Sequence, residues 1–467
     1  MNKIIAKKEQ LIFIGVTAIV ATVFFTLESF AVSGENMHFS ETILWIAILL
    51  LCARIAGFIK RWGQPRLIGE VIMGIFLGNL VYFGVDAFVG VKENEIISFL
   101  AELGVVILLF QAGLESNIEG MKKTGVRAII VAVAGAVLPF ILGAFVVAPW
   151  LLPAEPFTTH LFIGAALTAT SVGIAAQLFK QYGLIKSKEA QIVLGAAVMD
   201  DVLGMVLLPV LVAMVTATAI TAGLIASMAL QAIVFLFGSV ILGHIAAPHI
   251  NKFFSLLDAG SGMKFTIALS TCLIFAALAG FIGIAPIIGA FAAGLFLDPV
   301  HFNTFRHRKT HRDLEKIAAK LQPADKQVLI STIHHYEEKE VEDLIDPLAR
   351  MMVPLFFITI GMAVDVTLFL NIKVILIALA ILAVAIVARM TAAQFAGPGT
   401  DKKTIGVSLI PNGEVGLVYA ALGLELGVVS SEVFAIIIAV MVLSTVLAPI
   451  VLNMLLRQKM SHANNPA

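Results

Sequence analysis

Two adjacent aspartates, Asp200 and Asp201, are the residues of this chain that most directly suggest chemistry. They lie in the middle of an apolar stretch that runs from about residue 190 to 216. Ionised side chains in the middle of a bilayer are costly, so they are rare unless they face a water-filled cavity or a partner and handle ions or protons. The pair therefore predicts a cation site with exchangeable protons, and transport is the first functional hypothesis.

A weak point in a helix is expected just before the aspartates, in the run Thr168-Ala169-Thr170-Ser171-Val172-Gly173. Polar, β-branched and glycine residues in the centre of an apolar segment favour local unwinding. Where a membrane helix is interrupted beside a cavity, the freed carbonyl and hydroxyl oxygens can bind an ion. Thr170 and Ser171 are therefore candidate ligands; close helix packing through their hydroxyl groups is the alternative.

A second interruption is expected at Pro411-Asn412-Gly413-Glu414-Val415-Gly416. Proline removes a backbone donor and glycine weakens a helix, here on both sides of an acidic residue. Glu414 is then a third acid inside the membrane. Two roles remain open for it: direct contact with the ion, or stabilisation of the broken helix.

Arg389 is the basic residue that these acids require. It lies in the run Ala385-Ile386-Val387-Ala388-Arg389-Met390, far from either end of its apolar segment. A guanidinium group keeps its charge under any ordinary condition, so pairing with a buried carboxylate is the least costly arrangement. Arg389 is therefore predicted to be the charge partner in the site, with snorkelling to the interface as the alternative.

The composition places these residues in a membrane protein. The chain of 467 residues is 60% hydrophobic and only 13% charged, and its mean hydropathy is +1.00. Segments long enough to cross about 30 Å of hydrocarbon recur along the chain, without a barrel-like alternation. We therefore predict an all-α polytopic membrane protein with spans near residues 11–33, 41–60, 67–85, 96–114, 126–150, 158–179, 189–217, 221–246, 264–281, 284–298, 350–370, 372–396, 403–425 and 431–456.

The first of these spans is an extra N-terminal helix or signal anchor within residues 1–40, ahead of thirteen core helices. The alternative is a cleaved signal peptide, because the run ends at Ser29-Phe30-Ala31, a small-x-small pattern. With the amino terminus in the cytoplasm, nearly all of the 31 Lys and Arg residues fall on the cytoplasmic side. This distribution obeys the positive-inside rule and also places the tail, residues 458–467, in the cytoplasm.

The core helices divide into two blocks of opposite direction. Residues 41–298 contain the first repeat and linker helices, and residues 350–457 contain the remainder of the second repeat. The five spans from 67 to 217 are predicted to begin on the cytoplasmic side, and the five from 284 to 456 on the outer side. In each of these five-helix blocks the fourth helix carries the interruption, which predicts an inverted repeat with the site where the two broken helices cross. Residues 299–349 are expected to form a cytoplasmic helical insertion. Its five histidines suggest a pH sensor or ion site, and a solvated linker is the simpler interpretation.

Four stretches resemble a known family when they are taken together and in order. They are GQPRLIGEVIMGIFLGN (Gly63 to Asn79), LLFQAGLE (Leu108 to Glu115), TATSVGIAAQLFKQYGLI (Thr168 to Ile185) and VLGAAVMDDVLG (Val193 to Gly204). This combination resembles the monovalent cation/proton antiporter superfamily, in particular its bacterial sodium/proton antiporter branch with paired aspartates. The resemblance covers about residues 41–457.

The resemblance implies a core domain that moves against a dimerisation domain, and a homodimer in the bacterial inner membrane. Asp201 would carry the transported Na⁺ or Li⁺ and the proton, and Asp200 would engage the basic residue, with Thr170, Ser171 and Glu414 beside them. Electrogenic relatives usually have lysine where this chain has Arg389. Because an arginine does not release a proton, the stoichiometry is left open. No resident cofactor, enzymatic activity or nucleic-acid partner is expected.

Three alternatives differ in class. A K⁺/H⁺ antiporter is the nearest, although ligand-gated potassium efflux antiporters usually carry a nucleotide-binding domain after the last span, which this sequence lacks. A sodium-coupled organic solute symporter would need an additional polar pocket. A membrane-embedded aspartyl enzyme would place its aspartates on separate helices, whereas neighbours on one helix point about 100° apart. The choice of Na⁺, Li⁺ or K⁺ does not follow from the sequence.

Overall fold

The computed structural model describes residues 37–62, 64–115, 126–216, 222–257, 260–297 and 323–464. Its helices, numbered in chain order, are α1 (Met37–Ala56), α2 (Arg66–Gly78), α3 (Glu95–Glu115), α4 (Val126–Leu151), α5 (Phe157–Ala166), α6 (Val172–Gln181), α7 (Lys188–Thr216), α8 (Ala222–Leu257), α9 (Ser261–Ile282), α10 (Pro286–Phe296), α11 (Pro323–Met362), α12 (Ile372–Ala392), α13 (Lys402–Ser408), α14 (Glu414–Glu425) and α15 (Ser431–Asn464). Short 3₁₀ turns extend or connect several of them.

The prediction of an all-α polytopic membrane protein is confirmed. Nine of the described helices are long and apolar enough to cross a membrane. Predicted spans 67–85, 158–179, 284–298 and 403–425 coincide with shorter or interrupted helices, namely α2, α5 with α6, α10, and α13 with α14. The number of thirteen core spans and the inverted repeat stay predictions. The predicted span at 11–33 lies outside the described residues.

Helix α11 differs from its prediction at both ends. The apolar span was expected at 350–370, but the helix runs without a break from Pro323 to Met362, and its membrane-compatible part begins at Val341. Val341, Ile345 and Ala349 recur every four residues and are buried, so they form one apolar face. The charged residues between them made the segment read as polar. Residues 299–322 of the predicted insertion lie outside the described residues.

The extensive helix contacts fall into two groups. Helices α1, α2, α3, α9, α10 and α11 pack among themselves and are called the scaffold group below. Helices α4, α5, α6, α7, α12, α13, α14 and α15 also pack among themselves and are called the core group. Helix α8 contacts both, through α7 on one side and α10 on the other. Both interrupted helices, with the aspartates and Arg389, belong to the core group.

Close backbone contacts hold the scaffold group together. At Gly74 of α2, an added Cβ would lie 2.2 Å from the carbonyl oxygen of Ile358 on α11, and Gly361 faces the same contact from the other side. A side chain at either position would force the helices apart. Small residues of this kind let membrane helices approach closely enough for extensive van der Waals contact.

The connection between α11 and α12 crosses from one group to the other and is fixed to the scaffold group. The Asn79 amide donates to the carbonyl of Val364 (2.8 Å) and accepts from the backbone of Val366 (2.9 Å). Asp365 accepts hydrogen bonds from Tyr82 (3.0 Å) and from Thr367. The hydrogen bond from the Thr367 hydroxyl is the main reason that the pKa of Asp365 is below its ordinary value.

We predict that Gly74→Ala destabilises the protein by about 1–3 kcal/mol, because the new methyl group overlaps the Ile358 carbonyl. The thermal unfolding temperature of the purified protein in detergent measures this effect. Gly238→Ala on α8 is the matched control, since an added Cβ there meets nothing within 4 Å. Equal unfolding temperatures for the two variants would show that the α2–α11 contact is not tight.

Candidate ion-binding site

Two unwound segments meet in the interior of the core group. The first, residues 167–171, separates α5 from α6, and the second, residues 409–413, separates α13 from α14. The backbone N–H of Ser171 donates to the Pro411 carbonyl (2.8 Å), and that of Gly413 donates to the Ala169 carbonyl (3.3 Å). These bonds form an antiparallel bridge between Thr170 and Asn412. Both interruptions lie where the sequence predicts them.

The crossing brings four helix ends to one place. The carboxyl ends of α5 and α13 carry partial negative charge, and the amino ends of α6 and α14 carry partial positive charge. Glu414 is the first residue of α14, and Ser171 directly precedes α6. An acidic side chain at a helix amino end is electrostatically favourable, so the position itself stabilises a Glu414 carboxylate.

Asp200 on α7 is fully engaged on one of its oxygens. Its side chain is buried, and Oδ2 accepts hydrogen bonds from the Thr170 hydroxyl (2.7 Å) and from Nη1 of Arg389 (3.0 Å). The contact with Arg389 is an ion pair in which both side chains are about 99% or more buried. Asp200 is thus the carboxylate that neutralises the arginine predicted to need a partner.

Arg389 also binds the backbone around the first interruption. Nη1 donates to the Gly135 carbonyl of α4 (2.8 Å), and Nη2 donates to the carbonyls of Leu167 (3.1 Å) and Thr168. The last two are orphan acceptors created by the end of α5. Gly135 leaves room for the guanidinium, since a Cβ there would lie 3.1 Å from Nη1. One side chain therefore joins α4, the unwound segment, α7 and α12.

Asp201 has a different environment from its neighbour. It is partly exposed, and among the described residues its carboxyl group makes no hydrogen bond or ion pair. Three acids interact with it electrostatically within the described part of the chain: Asp200, Glu414 and Glu115. An accessible carboxylate with acidic neighbours attracts cations or protons, whereas Asp200 already has its counter-ion.

A cavity of about 400 Å³ leads to this region. Ser171 and Glu414 of the core group line it, as do Lys60 and Arg350, whose side chains are exposed. Both of those basic residues lie at ends of predicted spans, 41–60 and 350–370, that the positive-inside distribution places on the cytoplasmic side. The cavity therefore reaches the helix crossing from the side that the sequence predicts to be cytoplasmic.

Tyr419 fixes the second interrupted helix against the helix of the aspartates. It is fully buried, and its hydroxyl group donates to the carbonyl of Gly204 on α7 (2.6 Å). Gly204 lies one helical turn after Asp201, and Tyr419 lies one to two turns after Glu414. The bond therefore sets the relative position of the two acids.

The structure brings together all six residues singled out from the sequence: Asp200, Asp201, Thr170, Ser171, Glu414 and Arg389. Their functional roles stay predictions. The sequence analysis missed the three carbonyls bound by Arg389, because backbone groups have no residue signature. It also missed Glu70 and Arg66, which line the cavity. An acid within the apolar span 67–85 was the available signal.

We predict that Arg389→Lys gives a folded but less stable protein. A lysine ammonium group cannot reach Asp200 and the carbonyls of Gly135, Leu167 and Thr168 together, and each buried acceptor left without a donor costs about 1–3 kcal/mol. A lower thermal unfolding temperature is the expected result, with the exposed Arg127→Lys as control. The bonding pattern described above would be contradicted if both variants unfolded at the wild-type temperature.

Comparison with known proteins identifies the family. The family described as "Sodium/hydrogen exchanger, transmembrane" matches residues 46–325 and 327–458. The high-affinity Na⁺/H⁺ antiporter NhaS3 of Synechocystis sp. is 33% identical over 365 residues, which cover 76% of this chain and 71% of that protein. The Na⁺/H⁺-K⁺ antiporter GerN of Bacillus cereus is 30% identical over 421 residues, covering 88% and 95%.

The fold is also found in a solved structure. The sodium proton antiporter MjNhaP1 of Methanocaldococcus jannaschii superposes with a TM-score of 0.64 over 89% of this chain and 98% of that one, at 15% identity. At a sequence identity of 15%, this similarity is evidence for the fold alone. The match to the family over most of the chain, together with the relative at 33% identity, shows that this protein belongs to the sodium/hydrogen exchanger family of membrane antiporters.

Proposed function

We propose that this protein exchanges cytoplasmic Na⁺ or Li⁺ for external H⁺ by alternating access, with Asp201 as the residue that carries the cation and the proton. The contrast between the two aspartates is the observation that carries the proposal. Asp200 is buried and paired with Arg389, while Asp201 is partly exposed and has three acids, Asp200, Glu414 and Glu115, in electrostatic range.

Competition for one carboxylate couples the two ions. An ionised Asp201 attracts a cation, and a protonated Asp201 is neutral and binds none. A bare carboxylate is costly to move through an apolar barrier, so the site reorients only with a cation or a proton bound. Thr170, Ser171 and Glu414, which surround the crossing, are the further oxygen ligands that we propose.

The proposed movement is a displacement of the core group relative to the scaffold group. The site lies wholly within the core group, whose extensive contacts with the scaffold group run through α8. Val105 and Phe356 of the scaffold group and Phe162 and Val418 of the core group belong to one buried apolar cluster. Apolar surfaces without a dense hydrogen-bond network can slide, which supports an elevator-like displacement of the core group.

Sodium is the proposed cation because NhaS3 and GerN are both described as Na⁺/H⁺ antiporters. GerN is also described with K⁺, so a K⁺/H⁺ antiporter is the second candidate. Carboxylate, hydroxyl and carbonyl oxygens suit each of these hard cations. Direct comparison of the ions decides between them.

We further propose a homodimer in a bacterial cell membrane, on the family resemblance, with the carboxyl terminus in the cytoplasm. The orientation is supported by charges at the end of α15. Lys459 pairs with Glu189 (3.1 Å) and Arg457 donates to Tyr182, so the carboxyl end of the chain lies beside the lysine-rich segment 180–188. Clusters of basic residues favour the cytoplasmic side.

We predict that Asp201→Asn abolishes exchange and that Asp200→Asn weakens it. The amide cannot carry a proton or neutralise a cation, whereas loss of Asp200 leaves Asp201 in place but Arg389 without its counter-ion. Proton movement in energised everted vesicles measures both effects after separate additions of Na⁺, Li⁺ and K⁺.

The exposed residue Asp86 provides the matched control, as Asp86→Asn removes a carboxylate outside the site. It is expected to leave the proton movement at the wild-type level. Full exchange in Asp201→Asn would overturn the assignment of the carrier. If no cation moved protons in the wild type, a solute symporter would become the better explanation.

A further inference from the structure

Gln64 reaches from the scaffold group to the core group at the edge of the cavity. It lies just before α2, and the next two residues, Pro65 and Arg66, line the cavity. Its Nε2 donates a hydrogen bond to the carbonyl of Val446 on α15, at a distance of 3.3 Å. This bond therefore crosses the surface at which the core group is proposed to be displaced.

The acceptor lies on a turn of α15 that also holds the second unwound segment. The Thr445 hydroxyl donates to the carbonyl of Asn412 (3.1 Å), and the Ser444 hydroxyl oxygen accepts from the Asn412 backbone N–H (3.5 Å). Pro449 follows in the same helix and has no N–H, so a carbonyl of this turn lacks its helical donor. Such breaks in the hydrogen-bond ladder let side chains from outside reach a helix backbone. The Gln64 bond thus acts directly beside the helix crossing.

The stability of the fold gives little reason for an amide at this position. The Oε1 atom of Gln64 is buried and has no hydrogen-bond partner within the described part of the chain. An unpaired buried acceptor is unfavourable, and this cost opposes the gain from the bond that Nε2 makes. The bond to Val446, by contrast, depends directly on where the core group stands, because separation of the two atoms beyond about 3.5 Å abolishes it.

We propose that Gln64 is a latch that holds the core group in the position seen here, in which the cavity reaches the helix crossing from the predicted cytoplasmic side. The latch rests on the proposed antiport, with displacement of the core group as its moving step. Displacement breaks the bond, so the latch favours the cytoplasm-facing state over the outward-facing state. A net hydrogen bond of this kind changes the ratio of the two states by a factor of about two to ten.

The apparent affinities on the two faces report this ratio. An apparent dissociation constant equals the intrinsic constant divided by the fraction of protein that is competent to bind, here the fraction facing that side. The KM follows the same rule when ion binding is fast relative to displacement. The external KM divided by the cytoplasmic KM is therefore proportional to the ratio of cytoplasm-facing to outward-facing protein. Loss of a latch lowers this quotient, whereas a purely structural role changes both KM values alike.

The test uses Gln64→Met, which keeps the length of the side chain and removes its amide. The KM for Na⁺ is measured from proton movement in vesicles of both orientations, at equal pH on the two sides. We expect the quotient of external to cytoplasmic KM to fall about two- to tenfold, while the thermal unfolding temperature in detergent stays close to wild type. Gln64→Asn, whose amide is one methylene group shorter, is the second variant and is expected to lower the quotient in the same direction.

Gln394→Met is the matched control. Gln394 is exposed, and its Nε2 donates to the carbonyl of Met390 at the end of α12 (3.1 Å). The control loses the same kind of bond within the core group, so its quotient is expected to stay at the wild-type value. A quotient that is unchanged or raised in both Gln64 variants would overturn the latch while leaving the antiport intact. Absence of cation-dependent proton movement in the wild type would overturn the antiport, and the latch with it.

Discussion

The buried ion pair between Arg389 and Asp200 is the interaction on which the rest of the site depends. Removing one partner of such a pair leaves an uncompensated buried charge, at a cost of about 3–5 kcal/mol. The guanidinium also holds the carbonyls of Leu167 and Thr168, so the same side chain stabilises an interrupted helix that would otherwise expose orphan acceptors. Because Asp200 is committed to this role, Asp201 is the carboxylate to which we assign ion exchange in the proposed function.

Much of this site could be predicted because charged residues are conspicuous in apolar segments. Asp200, Asp201, Glu414 and Arg389 stand out in that way, and the Pro and Gly residues mark one of the two breaks. The start of the membrane-compatible part of α11 could not be predicted from average polarity. Its buried residues are separated by charged residues, so the average over the segment is polar. The two-residue bridge between the breaks is made by backbone groups, which follow from the tertiary arrangement and not from residue type.

The two helix groups differ in how they are held together. The scaffold group relies on backbone contacts such as that of Gly74 with Ile358, which leave no freedom to slide. The core group is organised around polar contacts that converge on the crossing, with Tyr419 and Arg389 joining its interrupted and continuous helices. Each group is therefore held together by contacts of its own, as the proposed displacement at the apolar surface between them requires.

The bridge between Thr170 and Asn412 has a consequence for ion discrimination. It ties the two unwound segments by paired backbone hydrogen bonds, which hold the oxygens that they contribute at fixed mutual distances. In the proposed displacement of the core group, these oxygens would keep the same arrangement on both sides of the membrane. If the exchange proceeds as proposed, cations would be ranked in the same order on both faces, and any difference between the faces would arise from groups outside the core group.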